Sequence, residues 1–221
     1  MNGRTLMVSV GRQARILTER TANAFGHKPQ PLAAVVLTSS SRSGSTWLAD
    51  MLSTAARLQQ IFEPLHPRYD PTISSLTGFD ARRDHVCSYY LRASGDYPEW
   101  HRWWQAVLAG RQRSAWTDAV PTVWFANGYL VKVIRANLML GYVHDRFQPR
   151  LIYLVRHPCA VVQSRLALGW KADVRVLLEQ EALVEDYLRP WIAWIENETD
   201  PAGAHALWWA VENLVAQSEL A

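Results

Sequence analysis

Four short apolar runs punctuate the chain, and a stretch of helical period or of turn residues follows each. "AAVVLT" (33–38) is apolar on successive positions, the pattern of a strand buried on both faces. "QQIFE" (59–63) is a shorter strand, stopped by Pro64. "YLVKVI" (129–134) and "LIYLV" (151–155) complete the set. Helical spacing fills 45–58, 98–109 and 138–147, with a proline opening the second of these. From Pro158 onward the spacing is helical throughout, over 158–168, 174–197 and 203–219. Residues 64–97 are rich in prolines, glycines and charges and predict loops and short helices. "KPQP" (28–31) separates an N-terminal arm, 1–31, from a single domain, 32–221. Strands alternating with helices imply parallel pairing and a three-layer α/β domain.

Composition changes this picture little. Hydrophobic residues are 49 % of the 221, enough for a full core. A formal charge of +3 and a pI near 9.0 suit a small anionic ligand but are too mild to argue for nucleic acid. Twenty of the 23 basic residues are arginine; only Lys28, Lys132 and Lys171 are lysine. Cys87 and Cys159 make no disulfide or metal pattern, so a reducing, cytoplasmic setting is expected. Scattered histidines and carboxylates offer no metal-ligand spacing, and no metal is expected. No apolar run reaches the roughly 18 residues a membrane span needs. The N-terminal segment lacks a signal-peptide h-region. Leu6, Val10, Ile16 and Leu17 set against Arg12, Arg15 and Arg20 would suit peripheral membrane contact, but an ordinary helix or loose arm is the simpler expectation.

The chemistry concentrates where the first strand ends. "SSSRSGSTW" (39–47) is a turn of small hydroxyl residues opening a helix. Unpaired N–H groups of a first helical turn and the helix dipole attract an anion, and small residues let a phosphate approach the backbone. Arg42 lies within that turn as a fixed cation. Ser39 to Ser45 would equally serve as a plain turn and N-cap. The G-x-x-x-x-G-K-[ST] pattern of ATP and GTP sites is absent, failing at its lysine. A second stretch, "RHPCAVVQS" (156–164), follows the last strand, which puts Arg156 at the edge where open α/β sheets bind ligands. Taken alone, Arg156 and Ser164 would pass for surface residues.

Together, "SRSGSTW" and "RHPCAVVQS" resemble the sulfotransferases that use 3′-phosphoadenosine 5′-phosphosulfate (PAPS). "FEPLH" (62–66) and an arginine at position 42 are similar to the carbohydrate, Golgi-type branch. The resemblance spans about 33–215 and implies a three-layer P-loop-like fold with a central parallel sheet flanked by helices. It implies that PAPS is the donor co-substrate and an acceptor hydroxyl, of a carbohydrate at branch level, receives the sulfuryl group. On this resemblance Ser43, Gly44, Ser45 and Thr46 cradle the 5′-phosphosulfate. Arg42 contacts the bridging oxygen and the sulfuryl group, Trp47 stacks on adenine, and Arg156 and Ser164 hold the 3′-phosphate. Glu63 aligns with the catalytic base of that branch, and His66 is the alternative base.

The resemblance also leaves readings open. The family continues past "WWAVENLVA" with a strand, a helix and a basic loop over the nucleotide, so this chain matches the family without its C-terminal part. A non-catalytic nucleotide-binding remnant and a P-loop kinase relative are the competing classes; the missing lysine argues against the kinase. Trp100, Trp103, Trp104, Trp116 and Trp124 either line an acceptor cleft or fill the core.

Overall fold

The computed structural model describes residues 34–77, 88–114 and 116–221. The N-terminal arm and Cys87 lie outside them. Four strands, β1 (Val35–Ser39), β2 (Leu58–Phe62), β3 (Gly128–Lys132) and β4 (Arg150–Leu154), form one sheet in the order β2-β3-β1-β4. Every pairing is parallel, with Val36 opposite Val131 and Leu151. Strand side chains alternate between two faces, and each face is covered. Leu37, Leu58 and Leu130 pack on Ala49 of helix α1 (Ser45–Ala56). On the other face, Val36, Ile61 and Val131 join residues of three helices. These are Trp104 and Val107 of α3 (Pro98–Leu108), Tyr142 and Val143 of α4 (Leu140–Phe147), and Ala216 of α6 (Pro201–Leu220). A short α2 (Pro71–Thr77) precedes α3, and α5 (Pro158–Ala167) packs beside α6. The chain is therefore α/β, with a four-stranded parallel sheet flanked by helices. Among the described residues, no helix is long and apolar enough to cross a membrane.

The topology explains where a site can form. The α1 crossover carries the chain from β1 to β2 on one face, and α4 carries it from β3 across to β4 on the other. Crossovers on opposite faces make the C-terminal end of β1 the switch point of the sheet, the place where open α/β folds bind ligands.

Two expectations differ from what forms. Residues 174–197 are not one helix. A 3₁₀ segment, Val174–Glu179, ends at Gln180, and a π turn, Val184–Leu188, gives way to a 3₁₀ turn around Pro190 before Ile192–Asn197. Pro190 has no N–H for the ladder. Gln180 instead accepts from Tyr90 N (2.8 Å) and donates to Ser88 O (3.1 Å), holding 88–90 as a strand neighbour would. The run packs on α6 in a second cluster around Leu183, Leu188, Ile195 and Trp208. The other difference is Glu63, expected as the last residue of β2, which lies just beyond it with φ 47°.

A polar knot closes the far end of α6. Asp186 (2.9 Å) and Glu219 (3.2 Å) share the one Tyr90 hydroxyl proton, Glu219 also accepts from Tyr187 (3.0 Å), and Asp186 also accepts from Arg92 (2.7 Å). A Cβ on Gly141 would lie 1.8 Å from Glu219 Oε2, so only glycine admits this approach. Burial raises the Glu219 carboxyl above its ordinary 4.5, against the lowering by its two tyrosine donors. Because the folded value exceeds the unfolded one, the stability from this group is present below about pH 4.5 and lost as pH rises. Glu219→Gln should therefore match the wild type in Tm near pH 4 and melt progressively higher than it toward pH 7. A Tm difference that is flat with pH would overturn this.

Candidate functional site

β1 is fixed at its end before the turn begins. Val133 N donates to Leu37 O (2.9 Å), and buried Asn137 accepts from Thr38 Oγ1 (2.6 Å) and donates to Ser39 O (3.1 Å). Two left-handed residues then reverse the chain, Arg42 at φ 72° and Gly44 at φ 94°. Arginine in this region is uncommon and costs free energy, whereas glycine adopts it readily. Gly44 is the N-cap of α1 and offers no side-chain cap, so the first-turn N–H groups face outward with the positive end of the helix dipole. Burial alternates along the turn. Ser41, Ser43 and Ser45 are buried; Arg42, Gly44 and Thr46 are exposed. The Oγ atoms of Ser39, Ser41 and Ser43 are buried with no hydrogen-bond partner among the described residues. Leaving a buried hydroxyl unpaired costs about 1–3 kcal/mol, and three such hydroxyls fall within Ser39–Ser43.

The second stretch meets the first in space. Arg42 Nε donates to Ser164 Oγ (3.1 Å), and Arg156 Nη1 donates to Arg42 O (2.8 Å). Arg156 follows β4, and Ser164 sits on α5, started by Pro158 and capped by His157 Nδ1 accepting from Cys159 N. Neither Arg42 nor Arg156 has a carboxylate partner among the described residues. Two guanidinium groups thus converge on the rim of the turn with only neutral oxygens as partners. Trp47 stands on the first turn of α1, 68 % exposed.

Behind the turn lies a group the sequence pattern did not reveal. Glu212 of α6 is 2 % exposed, and its carboxylate accepts from four different segments. Oε2 takes Ser40 Oγ (2.7 Å) and Arg165 Nη2 (3.4 Å); Oε1 takes Ser88 Oγ (3.1 Å) and Trp208 Nε1 (3.2 Å). The adjacent Asn213 donates to Ser40 Oγ (3.2 Å). Arg165 follows Ser164 directly, so one buried ion pair joins the serine turn to the helix that carries Ser164.

Glu63 and His66 lie on the other side of β1. One strand, β3, separates the end of β2 from β1, two strand spacings of about 10 Å in all. Glu63 is 3 % exposed. Its Oε1 meets Lys132 Nζ at 2.5 Å, and Oε2 accepts from Ile134 N (3.2 Å) with Arg135 Nη1 at 3.5 Å. Lys132 carried its own signal, a lone charge inside the apolar run "YLVKVI". His66 Nδ1 accepts from Arg68 N (3.3 Å), a turn-capping bond. The five middle tryptophans divide. Trp100, Trp103 and Trp104 are buried in the core, Trp124 is exposed near the start of β3, and only Trp116 lies beside His66. Among the described residues, no group of three or more His, Cys, Asp or Glu side chains could hold a metal ion.

Glu212→Ala should be strongly destabilising, because it leaves Arg165 charged and buried without its partner. Breaking such a pair costs about 3–5 kcal/mol, which in a chain of this size lowers Tm by roughly 6–20 °C. Adding Arg165→Met should recover much of the loss. A single variant melting within about 2 °C of the wild type would refute the role. Comparison with family models, with curated proteins and with solved structures found no match.

Proposed function

We propose that this chain is a PAPS-dependent sulfotransferase with a P-loop-like donor site, acting on an acceptor hydroxyl of a carbohydrate. The observation that carries the reading is the meeting of the two motifs: Arg42 reaches Ser164, and Arg156 reaches the backbone of Arg42. Sequence resemblance assigns these residues to two ends of one bisphosphorylated nucleotide, and their nearness in the fold supports that assignment.

In this reading the backbone N–H groups of Ser43 to Thr46, at the start of α1, hold the 5′-phosphosulfate. Arg156 and Ser164 hold the 3′-phosphate, and Trp47 offers its exposed face to the adenine. Transfer forms a bond from the acceptor oxygen to sulfur and breaks the bond from sulfur to the bridging oxygen. The acceptor proton goes to a base on the protein, and the electron pair leaves with adenosine 3′,5′-bisphosphate. Arg42 neutralises the charge growing on that leaving oxygen, the larger part of catalysis in such in-line transfers.

Glu63 is the base in this reading, with His66 as the alternative. One observation favours a second reading, that the chain binds the nucleotide without turnover: both Glu63 oxygens already engage Lys132, Ile134 N and Arg135. Wild-type activity separates the two: a chain that binds adenosine 3′,5′-bisphosphate but transfers no sulfate from PAPS is the second reading, and on an active wild type Glu63 is then tested as the base. Glu63→Gln leaves two buried cations unbalanced and should lower Tm, and Lys132→Met added to it should restore Tm. If Glu63 takes the proton, the double variant stays inactive by on the order of 10²–10⁴-fold although it is folded and binds nucleotide. If the double variant regains transfer, the base is elsewhere and His66→Gln is the next variant to assay.

Nucleotide choice tests the donor. Adenosine 3′,5′-bisphosphate should raise Tm, and ADP far less, because Arg156 and Ser164 read the 3′-phosphate. Arg156→Ala should erase that preference, since a charge-assisted bond is worth about 1.5–3 kcal/mol, or roughly 10- to 150-fold in affinity. Equal shifts from both nucleotides would exclude the reading.

A further inference from the structure

Beyond Glu63, the C-terminal end of β2 carries a group of rings that the core does not absorb. Tyr69 stacks on Trp116 with centroids 4.1 Å apart and planes 11° from parallel. His66 tilts against both, at 4.7 Å from Tyr69 and 5.5 Å from Trp116, and Phe62 closes the cluster 5.4 Å from Trp116. The cluster adjoins the base. Lys132 Nζ, bonded to Glu63, lies 4.8 Å over the Phe62 ring. Phe62 N also donates to Thr117 O (3.2 Å), which pins the segment bearing Trp116 along the free edge of β2. Unlike the buried Trp100, Trp103 and Trp104, these rings stay open to solvent: Tyr69 is 39 % exposed, and His66 and Trp116 are half-buried. The indole N–H of Trp116 is buried with no hydrogen-bond partner among the described residues.

We infer that the Tyr69–Trp116 stack, with His66, is the acceptor subsite and that it takes a pyranose ring, deepening the reading proposed above and resting on it. The chemistry follows from shape. A pyranose presents a flat face of C–H bonds and a rim of hydroxyls, so it lies on an aromatic face while its edge stays available for polar contacts. The cluster supplies such a face on the β2 side of the sheet. The donor motifs lie on the β1 and β4 side, and the Glu63–Lys132 pair stands between them. A ring stacked there would lie on the side of the Glu63–Lys132 pair away from the donor motifs, at the same sheet edge. An acyclic polyol has the hydroxyls without the flat face and is excluded.

Saturation-transfer NMR tests this on the whole chain with adenosine 3′,5′-bisphosphate present. The probes are methyl glucoside, methyl galactoside and methyl N-acetylglucosaminide, against glucitol as the acyclic control. Expected is transfer to the ring C–H protons of at least one pyranoside and none to glucitol. Tyr69→Ala should weaken that binding at least tenfold with Tm and bisphosphate affinity unchanged, and Tyr69→Phe, which keeps the stack, should restore it. Equal transfer to glucitol, no transfer to any pyranoside, or full binding by Tyr69→Ala would each overturn the inference. Bisphosphate affinity, measured on the same samples, reports separately on the donor site. Its absence with pyranoside binding intact would count against the sulfotransferase reading and leave the ring subsite standing.

Discussion

The buried carboxylate of Glu212 is the constraint on which the site depends. A charge taken out of water must be paired and hydrogen-bonded or it expels itself from the fold. Glu212 meets that demand with donors from four separate stretches: Ser40 from the turn, Ser88 from the segment before α3, Arg165 from α5 and Trp208 from its own helix. None of these can shift without unpairing a buried charge. The turn after β1 and the helix after β4 are thus held at a fixed separation from behind. Their exposed residues, Arg42 and Ser164, then meet in front at 3.1 Å.

The sheet supplies the rest of the positioning. Parallel strands put every strand end at one edge, so residues from all four strand exits share it: Glu63, Lys132, the serine turn and Arg156. Their lateral order follows from strand order. Glu63 and Lys132 lie on the β2–β3 side, the turn is central, and Arg156 is on the β4 side. A reaction between two bound molecules suits this layout, with one molecule at each side of β1 and the reacting atoms over it.

How much of this is legible in the sequence depends on whether the cause is local. The serine turn is, because small residues, a glycine at positive φ and the start of a helix are neighbours along the chain. Arg156 and Ser164 are legible only through the resemblance of the whole stretch, with Arg156 two residues before α5 and Ser164 within it. Glu212 is not. Within "WWAVENLVA" it resembles a solvent-facing carboxylate, and its partners lie as far as 172 residues away. The Glu63–Lys132 pair is hidden for the same reason, since only the register of β2 against β3 brings Phe62 opposite Lys132. The single helix expected over 174–197 fails on a local cause, Pro190, together with a distant one, the pairing of Gln180 with 88–90. The tryptophans could not be divided by composition, because burial of Trp104 and exposure of Tyr69 beside Trp116 are settled by which helix covers which face.

The cations at this edge fall into two classes, and the difference bears on function. Lys132 and Arg165 are buried, and each is matched by a carboxylate, Glu63 or Glu212. Their charge is spent inside the protein, where it fixes geometry. Arg42 and Arg156 are exposed and bonded only to a hydroxyl and a carbonyl. Both lie next to an uncapped helix N-terminus, so on the donor reading proposed above an anion bound there would be stabilised by all three. The stabilisation grows with the negative charge delivered, so a nucleotide with anionic groups at both ends gains more at this edge than one with a single phosphate cluster. On the donor reading proposed above, discrimination by the 3′-phosphate would rest first on this charge arrangement and only then on contacts to the base.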